Sequence, residues 1–61
     1  MTGKELKAMR IKAGMTHDSL ARQTTLTRRR LVVLELGRGK ADDWEIDLIR
    51  YVMKKKGVWH E

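Results

Sequence analysis

The sequence predicts an all-helical fold, and two observations support this. The chain contains no proline, and the β-branched pair Val32–Val33 stands among residues that otherwise favour helix. Side chains able to cap a helix start also recur along the chain, at Thr2, Thr16, Thr27 and Asp42. Four starts predict four helices in one domain covering residues 1–61.

The predicted helices cover residues 3–13, 17–23, 28–36 and 43–55. Each cap is flanked by apolar residues at the spacing of a hydrophobic staple, and Glu5 and Glu45 lie three residues after Thr2 and Asp42, as in a capping box. Glycines that can adopt a left-handed conformation follow the helices at Gly14, at Gly37 or Gly39, and at Gly57.

Apolar residues at helical spacing predict one modest core. Its expected members are Leu6, Met9, Ala13, Leu20, Ala21, Leu31, Leu34, Ile46, Ile49 and Met53. The fourth helix carries more apolar surface than so small a core requires. We expect Trp44 in the core, and Val58 with Trp59 at a dimer contact.

The second and third helices are separated by a short loop, Thr24 to Thr27, which is typical of a helix-turn-helix unit over about residues 17–36. At 100° per residue, one side of the third helix carries Leu31 and Leu34. The opposite side carries Arg28, Arg29, Val32, Val33 and Leu36. Arginine reads guanine and apolar groups meet thymine methyls, so this side suits the major groove of DNA. A solvated arginine run or a protein interface at the aliphatic residues remains an alternative.

Charge and composition narrow the function further. Fourteen Lys and Arg against eight Asp and Glu give a formal charge of +6, which favours a polyanionic partner, although a basic surface can also serve solubility alone. Three arginines, Arg28 to Arg30, occupy the first turn of the third helix, where the dipole disfavours cations and a phosphate or guanine would relieve the repulsion. The absence of cysteine predicts a reduced, cytoplasmic setting, and DNA binding there would make the protein nucleoid-associated. The sequence contains no apolar run long enough for a membrane span and no signal-peptide pattern at its N-terminus.

An ordered set of residues from Gly14 to Gly37 resembles the helix-turn-helix of the phage repressor and Cro group, within the wider XRE-like family. The set comprises Gly14-Met15-Thr16-His17-Asp18-Ser19-Leu20-Ala21, Thr27-Arg28-Arg29-Arg30-Leu31 and Leu34-Glu35-Leu36-Gly37. The resemblance implies a lambda repressor-like bundle of four to five short helices. It also implies a prokaryotic or phage transcriptional regulator that binds a near-palindromic double-stranded DNA operator as a homodimer.

Site residues follow from the same resemblance. The recognition helix would cover about residues 28–36, with Arg28, Arg29, Val32 and Val33 on base edges. Phosphate contacts are expected from Thr16, His17, Arg30, Arg38 and Lys40, and a structural ion pair from Arg10 and Glu35. The sequence departs from the family at Thr25, where glycine is common, and at Leu36, where a polar residue is common.

Other chemistries find little in the sequence. His17 and His60 have no carboxylate cluster and no cysteine at ligand spacing, so we expect no metal, no cofactor and no enzymatic activity. Lys54 to Lys56 are expected to complement the dipole of the fourth helix. The alternative function is an antitoxin-like or anti-repressor protein-interaction module that binds a partner through Leu36 or the fourth helix.

Overall fold

Four α-helices account for most of residues 1–59, the part of the chain that the computed structural model describes. They are α1 (Gly3–Lys12), α2 (His17–Thr24), α3 (Arg28–Glu35) and α4 (Asp43–Lys55), with no strand among the described residues. The all-helical prediction is confirmed, and each predicted boundary lies within one residue of the observed one. None of these helices is long and apolar enough to cross a membrane.

The helix starts use the caps that the sequence predicts. Thr2, Thr16 and Thr27 accept hydrogen bonds from the backbone amides of Glu5, Ser19 and Arg30, at 3.2, 3.1 and 3.0 Å. The carboxylates of Glu5 and Glu45 reach back to the amides of Thr2 and Asp42, at 2.8 and 2.9 Å. Local side chains therefore satisfy amides that a helix start leaves without partners.

Three glycines terminate helices in the left-handed conformation. Gly14, Gly37 and Gly57 have φ angles of 70°, 73° and 73°. In each case the amide of the glycine and that of the next residue bond back to carbonyls of the last turn, as Gly37 does to Leu34 at 3.2 Å and Arg38 does to Val33 at 3.1 Å. Of the two glycines predicted to end α3, Gly37 does so.

The core lies between α3 and the helices around it. α3 packs against α1 and α2, and α4 packs against α2. The buried apolar side chains are Leu6, Met9, Met15, Leu20, Leu26, Leu31, Leu34, Ile49, Val52, Met53 and Val58. One contiguous cluster thus joins all four helices and the segment after α4.

The predictions for Trp44 and Val58 are wrong. Trp44 was expected in the core, but its side chain is 57% exposed, because Glu45, Ile49 and Val52 form the buried side of α4 instead. Val58 was expected at a dimer contact, but it is 6% exposed and belongs to the core. Trp59 is partly buried against that core, and Ile46 and Ala13 are likewise only partly buried.

Gly3 allows α1 to approach the end of α3 closely. A Cβ atom at this position would lie 2.5 Å from the backbone oxygens of both Leu34 and Glu35. Such a distance is far inside van der Waals contact. The start of α1 therefore sits against the carbonyl end of α3, which orients α3 within the bundle.

Candidate nucleic-acid interface

α2 and α3 are joined by a three-residue turn, residues 25–27. Thr25 has φ 60° and ψ 8°, a left-handed conformation that is strained for a β-branched residue. The buried hydroxyl of Thr24 donates to the Leu20 carbonyl at 2.8 Å and accepts from the Leu26 amide at 3.4 Å. The turn is thus held by a side chain at the end of α2, and Thr25 accepts the strain that a glycine would avoid.

α3 has a buried side and an outward side. Leu31 and Leu34 are anchored in the core. On the other side the side chains of Arg28 and Arg29 are exposed, and Val32 and Val33 are half-buried. Leu36, just after the helix, is 63% exposed. Arginines and aliphatic groups therefore share one accessible surface, which we call the α3 outer face: Arg28, Arg29, Val32, Val33 and Leu36.

Arg28 also connects the first turns of α2 and α3. Its Nε lies 3.7 Å from Oδ1 of Asp18, and both side chains are largely exposed. An ion pair of this length in solvent contributes little to stability. The guanidinium is consequently available to a ligand at small cost.

Arg30 does not belong to the α3 outer face. Its Nε and Nη2 donate to Oε2 and Oε1 of Glu45 at 2.8 and 2.9 Å, and Nη2 also donates to the carbonyl of Lys40 at 3.1 Å. The predicted phosphate contact of Arg30 stays a prediction, and this paired arrangement directs Nε and Nη2 of the guanidinium to α4 and the Lys40 carbonyl. The hydrogen bond to Glu45 raises the pKa of Arg30, and the same bond lowers the pKa of Glu45.

Glu35 joins α1, α2 and α3. Nε and Nη2 of Arg10 donate to its two carboxylate oxygens at 2.8 and 3.3 Å, and Nη1 of Arg10 donates to the carbonyl of Met15 at 2.9 Å. Both side chains of the pair are almost buried, at 11% and 6% exposure. The ion pair implied by the family resemblance is therefore present in this chain.

His17 lies against the same carboxylate. Its Nε2 is buried and 3.2 Å from Oε1 of Glu35, within ion-pair distance but without the alignment of a hydrogen bond. This nitrogen faces the protein, so the expected phosphate contact of His17 does not run through Nε2. Nδ1 and the first amides of α2 remain for an anion.

The remaining predicted phosphate-binding residues are exposed. Thr16 lies at the start of α2, where its hydroxyl already accepts from the amide of Ser19. Arg38 and Lys40 lie in the loop between α3 and α4. Exposed basic side chains therefore lie in the loop that follows α3, and an exposed hydroxyl lies at the start of α2.

Sequence reasoning missed the buried hydrogen bonds of Thr24 and the ion pair between Arg30 and Glu45. The sequence groups Arg30 with Arg28 and Arg29 as one basic run. On a helix, however, the side chain of Arg30 is rotated by 100° from that of Arg29. Glu45 lies on the same side of α4 as Ile49 and Val52, and a carboxylate on an apolar helix side could have indicated a buried partner. Nothing in the sequence alone identified that partner as Arg30.

Comparison of the chain with protein-family models, with curated proteins and with solved structures finds no match.

Proposed function

We propose that this chain is a sequence-specific DNA-binding protein with a lambda repressor-like helix-turn-helix, of the phage repressor and Cro kind. The single observation that carries the proposal is the α3 outer face, where two exposed arginines adjoin two half-buried valines on a helix whose other side is anchored in the core. A three-residue turn links this helix to α2. Such a helix presents side chains to the major groove while the preceding helix rests across the backbone.

In this proposal, the side chains of the α3 outer face contact the bases. Arg28 and Arg29 donate to O6 and N7 of guanine, and Val32 and Val33 contact thymine methyl groups. Each bidentate arginine contact discriminates against a wrong base by about 1 to 3 kcal/mol. Sequence preference therefore resides in a few side chains of one short helix.

The residues around that helix bind the DNA phosphate backbone. Arg38 and Lys40 neutralise phosphates from the loop, and the first amides of α2, next to Thr16 and His17, donate to a phosphate oxygen. These contacts fix the register of α3 on the duplex and make affinity depend on salt. Arg30 supports this surface indirectly, since its guanidinium holds the carbonyl of Lys40.

The biological action we propose is repression by occupying an operator. Two copies bind a near-palindromic site, with their recognition helices separated by about 34 Å, one turn of B-DNA. No catalytic step is involved.

Selection of bound duplexes from a random pool, combined with sizing of the complex, tests the proposal. The expected result is a motif of two half-sites in inverted orientation, bound by two chains. Recovery of sequences with no shared motif, at a salt concentration that abolishes non-specific binding, would reject sequence-specific recognition.

A protein-interaction module is the second candidate, and the exposed Leu36 favours it. Leu36 adjoins Val32 and Val33 and would extend an aliphatic contact better than a DNA contact. A binding series at increasing salt separates the two functions. Affinity carried by phosphate contacts falls steeply with salt, whereas affinity carried by an aliphatic interface does not.

A further inference from the structure

α4 carries a stripe of aromatic side chains that no other part of the described chain covers. Trp44 and Tyr51 are 57% and 64% exposed, and Leu48 between them is half-buried. Spacings of four and three residues put all three on one side of the helix. We call these three residues the α4 stripe. Nζ of Lys55 lies 5.4 Å from the centroid of the Tyr51 ring and extends the stripe by one turn.

We propose that the α4 stripe is the contact between two copies of this chain, with the two α4 helices antiparallel across a two-fold axis near Leu48. Exposed tryptophan and tyrosine are the residues that most often anchor protein interfaces. A two-fold contact is self-complementary, so each copy offers the same surface to the other. The biological role of this dimer rests on the proposed function, because a repressor that binds a palindromic operator needs two chains.

The distribution of charge beside the stripe selects a second copy as the occupant. The acidic residues Asp43 and Asp47 lie in the first half of α4, and Arg50 and the lysines of the last turn lie in the second half. Within one chain, Arg50 pairs with Asp47 at 2.9 Å. Antiparallel packing brings the acidic half of each helix next to the basic half of the other. It also aligns the two helix dipoles in opposite directions, which is favourable. One helix therefore complements a copy of itself.

The size of the stripe predicts a weak dimer. An aromatic side chain can bury about 150 to 250 Å², so the exposed parts of four rings from two copies supply roughly 500 Å². Specific stable interfaces bury at least about 1,200 Å². The free dimer therefore dissociates in the micromolar range or above, and binding of both copies to one operator strengthens it through effective concentration.

A charge-swap experiment in the absence of DNA tests this surface. Sedimentation equilibrium at physiological salt is measured for the wild-type chain, Asp47→Arg and Arg50→Asp. Both residues are exposed, so the variants retain the fold, which helical circular dichroism verifies. Each variant alone places like charges opposite each other, and the dimer dissociation constant should rise about tenfold or more. An equimolar mixture of the two variants restores opposite charges and should form a heterodimer close to wild-type strength.

Arg22→Asp, an equal charge change on the exposed side of α2, is the matched control and should leave the dimer unchanged. A wild-type chain that stays monomeric to millimolar concentration would overturn the proposal and assign the stripe to another partner. Failure of the mixture to associate, or an equal effect of Arg22→Asp, would also overturn it. A chain that dimerises through this surface but shows no DNA sequence preference would refute the proposed function and leave the dimer standing.

Discussion

Arg30 and Glu45, which are 15 residues apart in the chain, form an ion pair that joins α3 to α4. Two oxygens of Glu45 accept from Nε and Nη2 of Arg30 at 2.8 and 2.9 Å, and one of them also accepts from the amide of Asp42 at 2.9 Å. One carboxylate therefore caps α4 and holds α3 at the same time. Its ionisation matters for both helices.

Glu45 should make the protein sensitive to acid. Because its pKa in the folded chain lies below the ordinary value of 4.5, its carboxylate stabilises the fold above that value, and this contribution is lost as the pH falls through the folded pKa. We expect Glu45→Gln to be less stable near neutral pH and to show a flatter decline in unfolding free energy below about pH 4.5. Chemical unfolding followed by circular dichroism across this range measures both effects. Asp47→Asn, an exposed carboxylate, is the control and should keep the wild-type acid decline; an unchanged decline in Glu45→Gln would contradict the assignment.

Gly3→Ala should destabilise the fold by about 1 to 3 kcal/mol, the usual cost of forcing an extra carbon into a packed contact. The new Cβ would meet two backbone oxygens of α3 at 2.5 Å, and backbone cannot move aside as a side chain can. Gly39→Ala is the control, since its Cβ would meet the side-chain atoms Arg30 Nη1 and Val33 Cγ1 at 3.2 and 3.4 Å. Urea unfolding measures both. Equal losses in the two variants would show that Gly3 is not a close-contact site.

Thr25→Gly should stabilise the protein by about 0.5 to 1 kcal/mol. A left-handed conformation costs a non-glycine residue about 1 to 2 kcal/mol, and the greater freedom of glycine in the unfolded chain removes about half of that gain. Gln23→Gly, two residues earlier on the exposed side of α2, should instead lose about 1 kcal/mol, the ordinary cost of glycine in a helix. The midpoints of thermal unfolding compare the two. A lower midpoint for Thr25→Gly would mean that its hydroxyl, which donates to the Thr24 carbonyl at 2.6 Å, outweighs the backbone strain.

How far these features could be predicted depends on the range of the interaction. The caps at Thr2, Thr16 and Thr27 and the glycine stops follow from hydrogen bonds between residues three to five apart, so the sequence contains them directly. The two sides of α3 follow from helical periodicity in the same way.

Contacts between residues far apart in the chain could not be predicted from short-range sequence patterns. Trp44 and Glu45 are neighbours, and the polar one is buried because Arg30 reaches it, while the apolar one faces outward. Val58 is buried because Gly57 turns the chain back over the core. Both outcomes depend on how the helices pack, which residue type alone does not determine.

Arg29→Ala and Lys40→Ala should affect DNA binding differently. Loss of a base contact at Arg29 should reduce preference for the selected motif by about 1 to 3 kcal/mol at the affected base pair. Loss of a phosphate contact at Lys40 should weaken binding to all sequences alike and reduce the salt slope by about one. Fluorescence anisotropy with the selected duplex and a scrambled duplex, at several salt concentrations, separates the two. If both variants lost affinity uniformly, the assignment of Arg29 to base reading would be wrong.

The division of α3 into two sides also bears on how this protein can diverge. Its anchors, Leu31 and Leu34, are buried in the core, whereas Arg28 and Arg29 are exposed and make no contact that the core needs. The two exposed arginines can thus be exchanged freely, while the half-buried valines tolerate only side chains of similar volume. Under the proposed function, a chain of this kind can therefore change its DNA target through the two arginines with little effect on the stability of its fold.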